Sequence, residues 1–228
     1  MKAKSKNIPI SSFWVVTYTT IVVASLVLTN KILEWHGIIL SACLISFPLI
    51  YLFGDIVAEV YGYKESQKLI WFTIMSCIIF SIITQAAIYI PSANFYNNSA
   101  AYQQVLGQDL KFTLVGCLAI VLGAQVNMYA ITKWKLLLNG RYFWLRSIGA
   151  TALGELVNSL VAFPLGFFGD FPFHNIMEVM FFSYILKMIY AVLLVYPASL
   201  VVTYYKAKGI NANDVDFSFN PFVKQLVE

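Results

Sequence analysis

Residues Gly37–Tyr61 read GIILSACLISFPLIYLFGDIVAEVY, an apolar stretch in which only Asp55 and Glu59 carry a charge. A helix that crosses the hydrocarbon core of a bilayer needs about 20 predominantly apolar residues. The stretch therefore predicts a transmembrane helix. Its two acids then need an explanation, because an ionised side chain at the centre of a membrane costs at least about 2.5 kcal/mol.

The composition of the whole chain agrees with this local pattern. Of its 228 residues, 60% are hydrophobic and only 11% are charged. A soluble domain has roughly a quarter of its residues charged, so this chain has too little charge to cover a surface that faces water. The length suits one transmembrane domain over residues 1–228.

Further apolar runs predict the remaining spans, at Phe13–Leu33, Leu69–Ile90, Phe112–Trp134, Leu145–Phe168 and Ile176–Tyr205. Together with Gly37–Tyr61 they predict an all-α bundle of six transmembrane helices. The three cysteines lie inside these runs and lack metal-ligand spacing, so we interpret them as small buried hydrophobes.

The basic residues predict which side of the membrane each end occupies. One side collects Lys2, Lys4, Lys6, Lys64, Lys68, Lys133, Lys135, Arg141, Arg146, Lys206, Lys208 and Lys224, and the other has only Lys31 and Lys111. Basic loops stay in the cytoplasm. The pattern therefore predicts that both termini are cytoplasmic and that the loop Pro91–Gln108, which has no Lys or Arg, is external.

An internal repeat is one reading of the sequence. Phe47–Asp55 resembles Phe163–Asp170, which would relate the second and fifth spans. A rival alignment pairs Gly54–Val57 with Gly154–Val157, and the two alignments exclude each other. Two fused units of three helices have opposite orientations, as in the inverted repeats of many transporters.

The acids of the second span lie one helical turn apart and therefore on one face. Asp55 is roughly 13 Å inside the cytoplasmic boundary, at about 1.5 Å per residue from Lys64. A functional acid and a structural pair with another helix are both open for Asp55. Glu59 lies nearer the surface, where a solvated helix end is the simpler interpretation, and it is also a candidate substrate-binding residue.

The fifth and sixth spans carry polar groups at a similar depth. Glu155 is predicted level with Asp55, and Asn158 shares its helix face. Lys187 lies too deep in the last span to reach water comfortably, so it needs an acid or a ligand. Asp55 and Glu155 are the acids available to Lys187, and an ion pair between Glu155 and Arg146 is the alternative.

Three amides complete the predicted polar set: Asn30 at the end of the first span, and Gln125 and Asn127 in the fourth. Such amides either bridge helices or bind a solute. The mixture of acids, amides and one Lys favours a polar, flat solute over a bare metal ion. No cofactor motif, metal motif or catalytic residue is predicted, because the sequence has no phosphate-binding loop and no HExxH.

At this point the sequence resembles a known family. Residues Phe47–Gly62, FPLIYLFGDIVAEVYG, resemble the signature of the queuosine precursor transporters, the vitamin uptake transporter family. Residues Gly154–Leu160 resemble its second motif, and Met177–Lys187 its last helix. The resemblance implies a bacterial inner-membrane importer of 7-cyano-7-deazaguanine, its aminomethyl relative, or both, for the salvage of queuosine in tRNA.

The chain departs from the family pattern at Asn127 and Asn158, where acids are common. An amide cannot carry a coupling proton, so proton coupling does not carry over to these two positions. Hydrogen bonding from Asn127 and Asn158 to a nucleobase does carry over.

The chemistry of a 7-deazaguanine fits the polar set. Its N–H and amino donors suit the carboxylate of Asp55, and its carbonyl suits Asn, Gln or Lys. Tyr51 and Phe53 are candidates to cover the ring faces. The expected partners are this small molecule and the lipid bilayer, with no nucleic acid; a homo-oligomer is left open.

Other classes of function stay open on the sequence. The nearest alternative is a substrate-binding subunit of an energy-coupling-factor importer. An intramembrane enzyme that uses Asp55 and Glu155 as an acid pair, and a purely structural assembly subunit, are two further alternatives.

Overall fold

The computed structural model describes residues 10–29, 31–35, 38–93, 95–107, 110–167, 169 and 172–210. Within these ranges the chain forms a helical bundle with one small sheet. The elements in chain order are α1 Ser12–Thr29, β1 Ile32–Trp35, β2 Ile38–Ser41, a 3₁₀ turn Ala42–Ile45, α2 Phe47–Tyr61, α3 Tyr63–Tyr89, α4 Ser99–Leu106, α5 Leu110–Leu137, α6 Phe143–Phe167 and α7 Phe173–Ala207.

The predicted all-α class and six spans are confirmed. Six helical segments of the described chain are long and apolar enough to cross a membrane, and only α4 is too short. Several helices extend beyond the predicted apolar runs. For example, α3 begins at Tyr63, and residues 64–68 include Lys, Glu and Gln, which are good helix formers. The sidedness and the internal repeat stay predictions.

The boundary between the first two predicted spans differs from the structure. The first span was expected to reach Leu33 and the second to begin at Gly37, but α1 ends at Thr29 and α2 begins at Phe47. Between them β1 and β2 pair antiparallel, with Ile32 opposite Ser41. Short apolar runs do not distinguish strand from helix, so periodicity could not predict this hairpin.

The second difference lies in the predicted external loop. Part of Pro91–Gln108 folds as α4, whose described residues are largely exposed. The helix begins after Asn98 and ends before Gly107. Its residues are mostly polar or small, so it contributes little apolar surface to the bundle.

The helix α2 lies at the centre of the bundle. In its membrane-spanning window 67% of residues are buried, against 22% in α3 and α7. It packs against α1, α3, α5, α6 and α7. The outer helices instead expose large apolar side chains such as Ile83 and Leu193, as a lipid-facing surface requires. Polar residues on α2 consequently point into protein.

A close crossing of α5 and α6 completes the centre. At Gly123 and Gly154 the two backbones approach so closely that a Cβ on either would lie 2.7 Å from the other's carbonyl oxygen. Small residues allow such crossings between membrane helices. The Tyr51 ring of α2 packs against both glycines. The crossing brings polar residues of α5 and α6 next to those of α2.

Candidate functional site

Four side chains form a stripe along one face of α2: Phe47, Tyr51, Asp55 and Glu59. Their four-residue spacing places them one above another. The stripe runs from the end of α2 near the hairpin to the end near Tyr61. Each member contacts a different group of residues on α5, α6 or α7. We call these residues together the polar core, and each successive turn of α2 with its contacts a level.

Glu59 occupies the level nearest Tyr61. Its carboxylate accepts two hydrogen bonds from Arg146 of α6, at 2.8 and 3.1 Å, and one from Lys206 of α7 at 2.5 Å. Lys135 of α5 donates to the backbone carbonyl of Glu59 at 2.9 Å. We call Glu59, Lys135, Arg146 and Lys206 the Glu59 cluster. It joins four helices through one residue.

Arg146 also stabilises the turn that joins α5 to α6. Its guanidinium donates to the carbonyls of Ile131, Gly140 and Arg141 at 3.0 to 3.4 Å. Asn139 and Tyr142 in this turn have φ of 50° and 52°, a region that non-glycine residues seldom occupy. The contacts of Arg146 hold that backbone in place.

Asp55 occupies the next level and is fully buried. Ser147 and Thr151, one turn apart on α6, donate to Asp55 Oδ2, Thr151 at 3.4 Å. The side chain of Asn127 on α5 lies beside the same carboxylate. We call Asp55, Asn127, Ser147 and Thr151 the Asp55 group.

Glu155 and Lys187 form the third level, one turn above. Lys187 Nζ lies 2.6 Å from Glu155 Oε1, and Ser159 donates to the same oxygen at 2.9 Å. The ammonium also lies 4.2 Å from the centre of the Phe47 ring and 6.0 Å from that of Phe163. Both side chains of the pair are almost completely buried. Of the acids that the sequence offered to Lys187, the structure selects Glu155.

A cavity of about 430 Å³ opens above this level. Its wall is mostly apolar, with Phe163 and Phe167 of α6 and Ile176 of α7, while the hairpin contributes Leu40 and Ser41. The volume lies in the range of about 300–1,000 Å³ that is typical of small-molecule sites. Among the described lining residues, Lys187 is the one with a charged side chain, and Asn158 lies beside it on the wall.

Four buried oxygens of the polar core have no hydrogen-bond partner among the described residues. They are Asp55 Oδ1, Asn127 Oδ1, Glu155 Oε2 and Asn158 Oδ1. Buried polar atoms are nearly always paired in folded proteins. Their concentration at adjacent levels makes this region the candidate site for a ligand.

The structure brings together most of the residues that the sequence predicted. Asp55, Asn127, Glu155, Asn158 and Lys187 lie at adjacent levels, and Tyr51 lies between Asp55 and Phe47 on the stripe. Asp55, Glu155 and Tyr51 do not line the cavity itself. Direct contact between Asp55 and a solute in this cavity is therefore not supported by the geometry.

Three other predicted residues lie elsewhere. Gln125 exchanges two amide hydrogen bonds of 2.5 Å with Gln67 of α3, away from the stripe. Asn30 lies outside the described residues. Glu59 was expected at a solvated helix end, which is wrong: it is 1% exposed, because Arg146 and Lys206 neutralise it inside the bundle.

Sequence reasoning missed the hydroxyl partners of the acids. Ser147, Thr151 and Ser159 are common residues in membrane helices and give no signal alone. Their spacing does: Ser147, Thr151, Glu155 and Ser159 recur every four residues on α6, as do the members of the α2 stripe. Two facing polar rows at helical spacing could have indicated the interface.

The six spans define a multi-pass membrane protein, and its buried polar core lies next to a cavity of the size typical of small-molecule sites. A sequence model of the family described as "Putative vitamin uptake transporter" matches residues 41–202. The chain therefore belongs to the vitamin uptake transporter family, which consists of transporters and not enzymes.

A curated relative has a more specific description than the family model. The "Probable queuosine precursor transporter" of Bacillus subtilis (strain 168) is 23% identical over 158 residues, which make up 69% of each chain. The family model includes α2, α5 and α6, on which most of the polar core lies. No solved structure matches the chain.

The Glu59 cluster yields a stability prediction. Glu59→Gln keeps the size of the side chain but leaves Arg146 and Lys206 without their shared carboxylate. Removing one member of a buried ion pair costs about 3–5 kcal/mol. We expect a loss of this size in the free energy of unfolding, measured by denaturant titration of the protein in mixed micelles.

Glu65→Gln is the matched control. Glu65 is buried, but the side chain of its partner Lys68 is 58% exposed. Lys68 therefore stays solvated after the substitution, and we expect a loss of about 1 kcal/mol or less. Equal effects of the two substitutions would contradict the assigned role of Glu59.

Proposed function

We propose that this protein imports 7-deazaguanines, 7-cyano-7-deazaguanine or its aminomethyl relative, across a bacterial inner membrane. The printed name of the Bacillus subtilis relative supports this substrate class. The family supports uptake as the activity. The structural observation that carries the proposal is the cavity that ends at Asn158 and Lys187.

The floor of the cavity offers a donor beside an acceptor. Lys187 has three N–H donors, and Glu155 occupies one of them. Asn158 Oδ1 has no partner among the described residues and can accept an N–H. A cyclic amide presents a carbonyl next to an N–H, as the six-membered ring of a guanine does. The two groups therefore suit that edge of a deazaguanine.

Aromatic residues support a flat ligand. Phe47 and Phe163 line the cavity close to Lys187, so a ring held by Lys187 would lie among them. Phe53, which the sequence offered as a candidate to cover the ring faces, instead packs on Trp14 with ring centres 5.6 Å apart. Glu155 then acts as a positioning residue, since it holds the ammonium that contacts the substrate.

Ligand binding tests the substrate class directly. We expect 7-cyano-7-deazaguanine to stabilise the detergent-solubilised protein by about 2.7 kcal/mol at 100 times its dissociation constant. A 7-cyano-7-deazaadenine has no carbonyl and no ring N–H at the recognised edge, so it should bind at least about tenfold more weakly.

Uptake is measured as recovery of queuosine-modified tRNA in a precursor-auxotrophic strain that lacks its own transporter. Stabilisation by riboflavin, thiamine or biotin instead would overturn the proposed substrate. Uptake that needs co-purifying ATPase subunits would support the energy-coupling-factor alternative.

Variants at the cavity floor test the proposed contacts. Lys187→Met and Asn158→Leu each remove one hydrogen bond to the substrate and leave a polar ligand atom unpaired. Such losses cost about 1–3 kcal/mol, so we expect affinity to fall at least about fivefold. Ser183→Ala is the control, because Ser183 is equally buried on α7 but does not line the cavity. Wild-type affinity in both floor variants would show that the substrate binds elsewhere.

We also propose that both termini face the cytoplasm, which places the Glu59 cluster near the cytoplasmic side and the cavity mouth outside. The basic residues of the sequence support this orientation. Reporters fused after Lys206, or within Lys133–Arg146, should be active as cytoplasmic fusions. Reporters within Pro91–Gln108 should be active outside. External activity of a reporter fused after Lys206 would refute this topology.

A further inference from the structure

Asp55 differs from the other two acids of the polar core in having no basic partner. Glu59 is paired with Arg146 and Lys206, and Glu155 with Lys187. No Lys, Arg or His among the described residues pairs with Asp55. Its side chain is 0% exposed, and a buried carboxylate is stable only when a positive charge or a proton neutralises it.

Asp55 and the residues around it offer oxygen atoms from three helices. Ser147 and Thr151 of α6 place their hydroxyl oxygens at Asp55 Oδ2, and Asn127 of α5 lies at the same carboxylate. Asp55 Oδ1 and Asn127 Oδ1 have no hydrogen-bond partner among the described residues. Two unpaired acceptor atoms thus lie at one buried carboxylate, whose neighbours Ser147, Thr151 and Asn127 are all neutral.

This set has the chemistry of a site for a hard, singly charged cation. Carboxylate, amide and hydroxyl oxygens are the ligands that hard cations prefer. The group carries one formal negative charge, so it balances one positive charge and not two. The nearest other acid, Glu59, is already neutralised by its own bases. We propose that Asp55, Asn127, Ser147 and Thr151 bind Na⁺, and that this ion is transported with the substrate.

The position of the Asp55 group suits coupling to substrate binding. It lies between the Glu59 cluster and the level of Glu155 and Lys187 along α2. The Cβ of Asn127 packs against Gly154, and the Cβ of Asn158 against Gly123, on the two sides of the α5–α6 crossing. An ion bound at Asn127 and a substrate bound at Asn158 would therefore both affect the packing at the α5–α6 crossing. This shared crossing provides a physical connection between the two sites.

The first test uses purified, ligand-free protein with Na⁺ alone as the probe. Thermal unfolding is followed in NaCl and in choline chloride at equal ionic strength, so that screening of surface charges is the same. We expect a saturable rise in the unfolding temperature with Na⁺ and none with choline, which is too large for the site. Equal unfolding temperatures in the two salts would overturn the proposal.

Variants then locate the effect. Ser147→Ala removes one proposed ligand and keeps the carboxylate, so the half-saturating Na⁺ concentration should rise at least about fivefold. Asp55→Asn should abolish the Na⁺ response. Ser81→Ala is the matched control, because its hydroxyl bonds to Thr113 at 3.1 Å on a different interface, and it should respond as the wild type does. A wild-type Na⁺ response in Ser147→Ala would refute the assigned ligands. This variant decides the question if Asp55→Asn does not fold.

The coupling between Na⁺ and substrate transport is measured in proteoliposomes, and this experiment rests on the proposed function. An inward Na⁺ gradient should raise the accumulation of 7-cyano-7-deazaguanine at least about fivefold over no gradient. Accumulation driven by a pH gradient in Na⁺-free buffer would overturn the proposal in favour of a proton on Asp55. Stabilisation by Na⁺ without binding of any deazaguanine would refute the proposed substrate while supporting the ion site.

Discussion

The buried ion pair between Glu59 and Arg146 is the interaction on which the arrangement of the central helices depends. Taking both charges out of water is costly, and the pair is stable only because each partner is fully hydrogen-bonded. Arg146 donates hydrogen bonds to the carboxylate of Glu59 and to the turn between α5 and α6. Lys206 of α7 also donates to this carboxylate, and Lys135 of α5 donates to the backbone carbonyl of Glu59. One end of the bundle is thereby closed around a single carboxylate.

The other end of the bundle is built differently. Beyond the level of Glu155 and Lys187 the walls become apolar and separate to form the cavity. Apolar side chains have no strong attraction for one another in a membrane, since lipid is equally apolar. Helices there can part without leaving charges unpaired. The structure thus combines one end held by ion pairs with one end that contains a largely apolar cavity.

The three buried acids show how the partner of a carboxylate defines its role. Glu59 is shared by two bases and holds helices together, whereas Glu155 orients one ammonium at the cavity floor. Asp55 is surrounded by neutral oxygens. All three have a similar cost of burial, but only the first two offset that cost with a charge supplied by the protein. For Asp55 no such charge is found among the described residues, and we propose Na⁺ in that role.

The sequence by itself determined the number of spans and the presence of three charged residues deep within them. Both follow from one solvent property: a bilayer requires long apolar runs and makes each charge within them costly, so Asp55, Glu155 and Lys187 were evident without a structure. Only the tertiary structure decided that Lys187 binds Glu155, that Glu59 is buried, and that Gln125 faces Gln67. Depth along a span can be counted from the sequence, but the pairing of side chains depends on how each helix is rotated and on where the backbones cross. The crossing at Gly123 and Gly154 sets that rotation for α5 and α6. The polar row of α6 indicates which face turns inward, but it cannot show which side chain of a neighbouring helix each member meets.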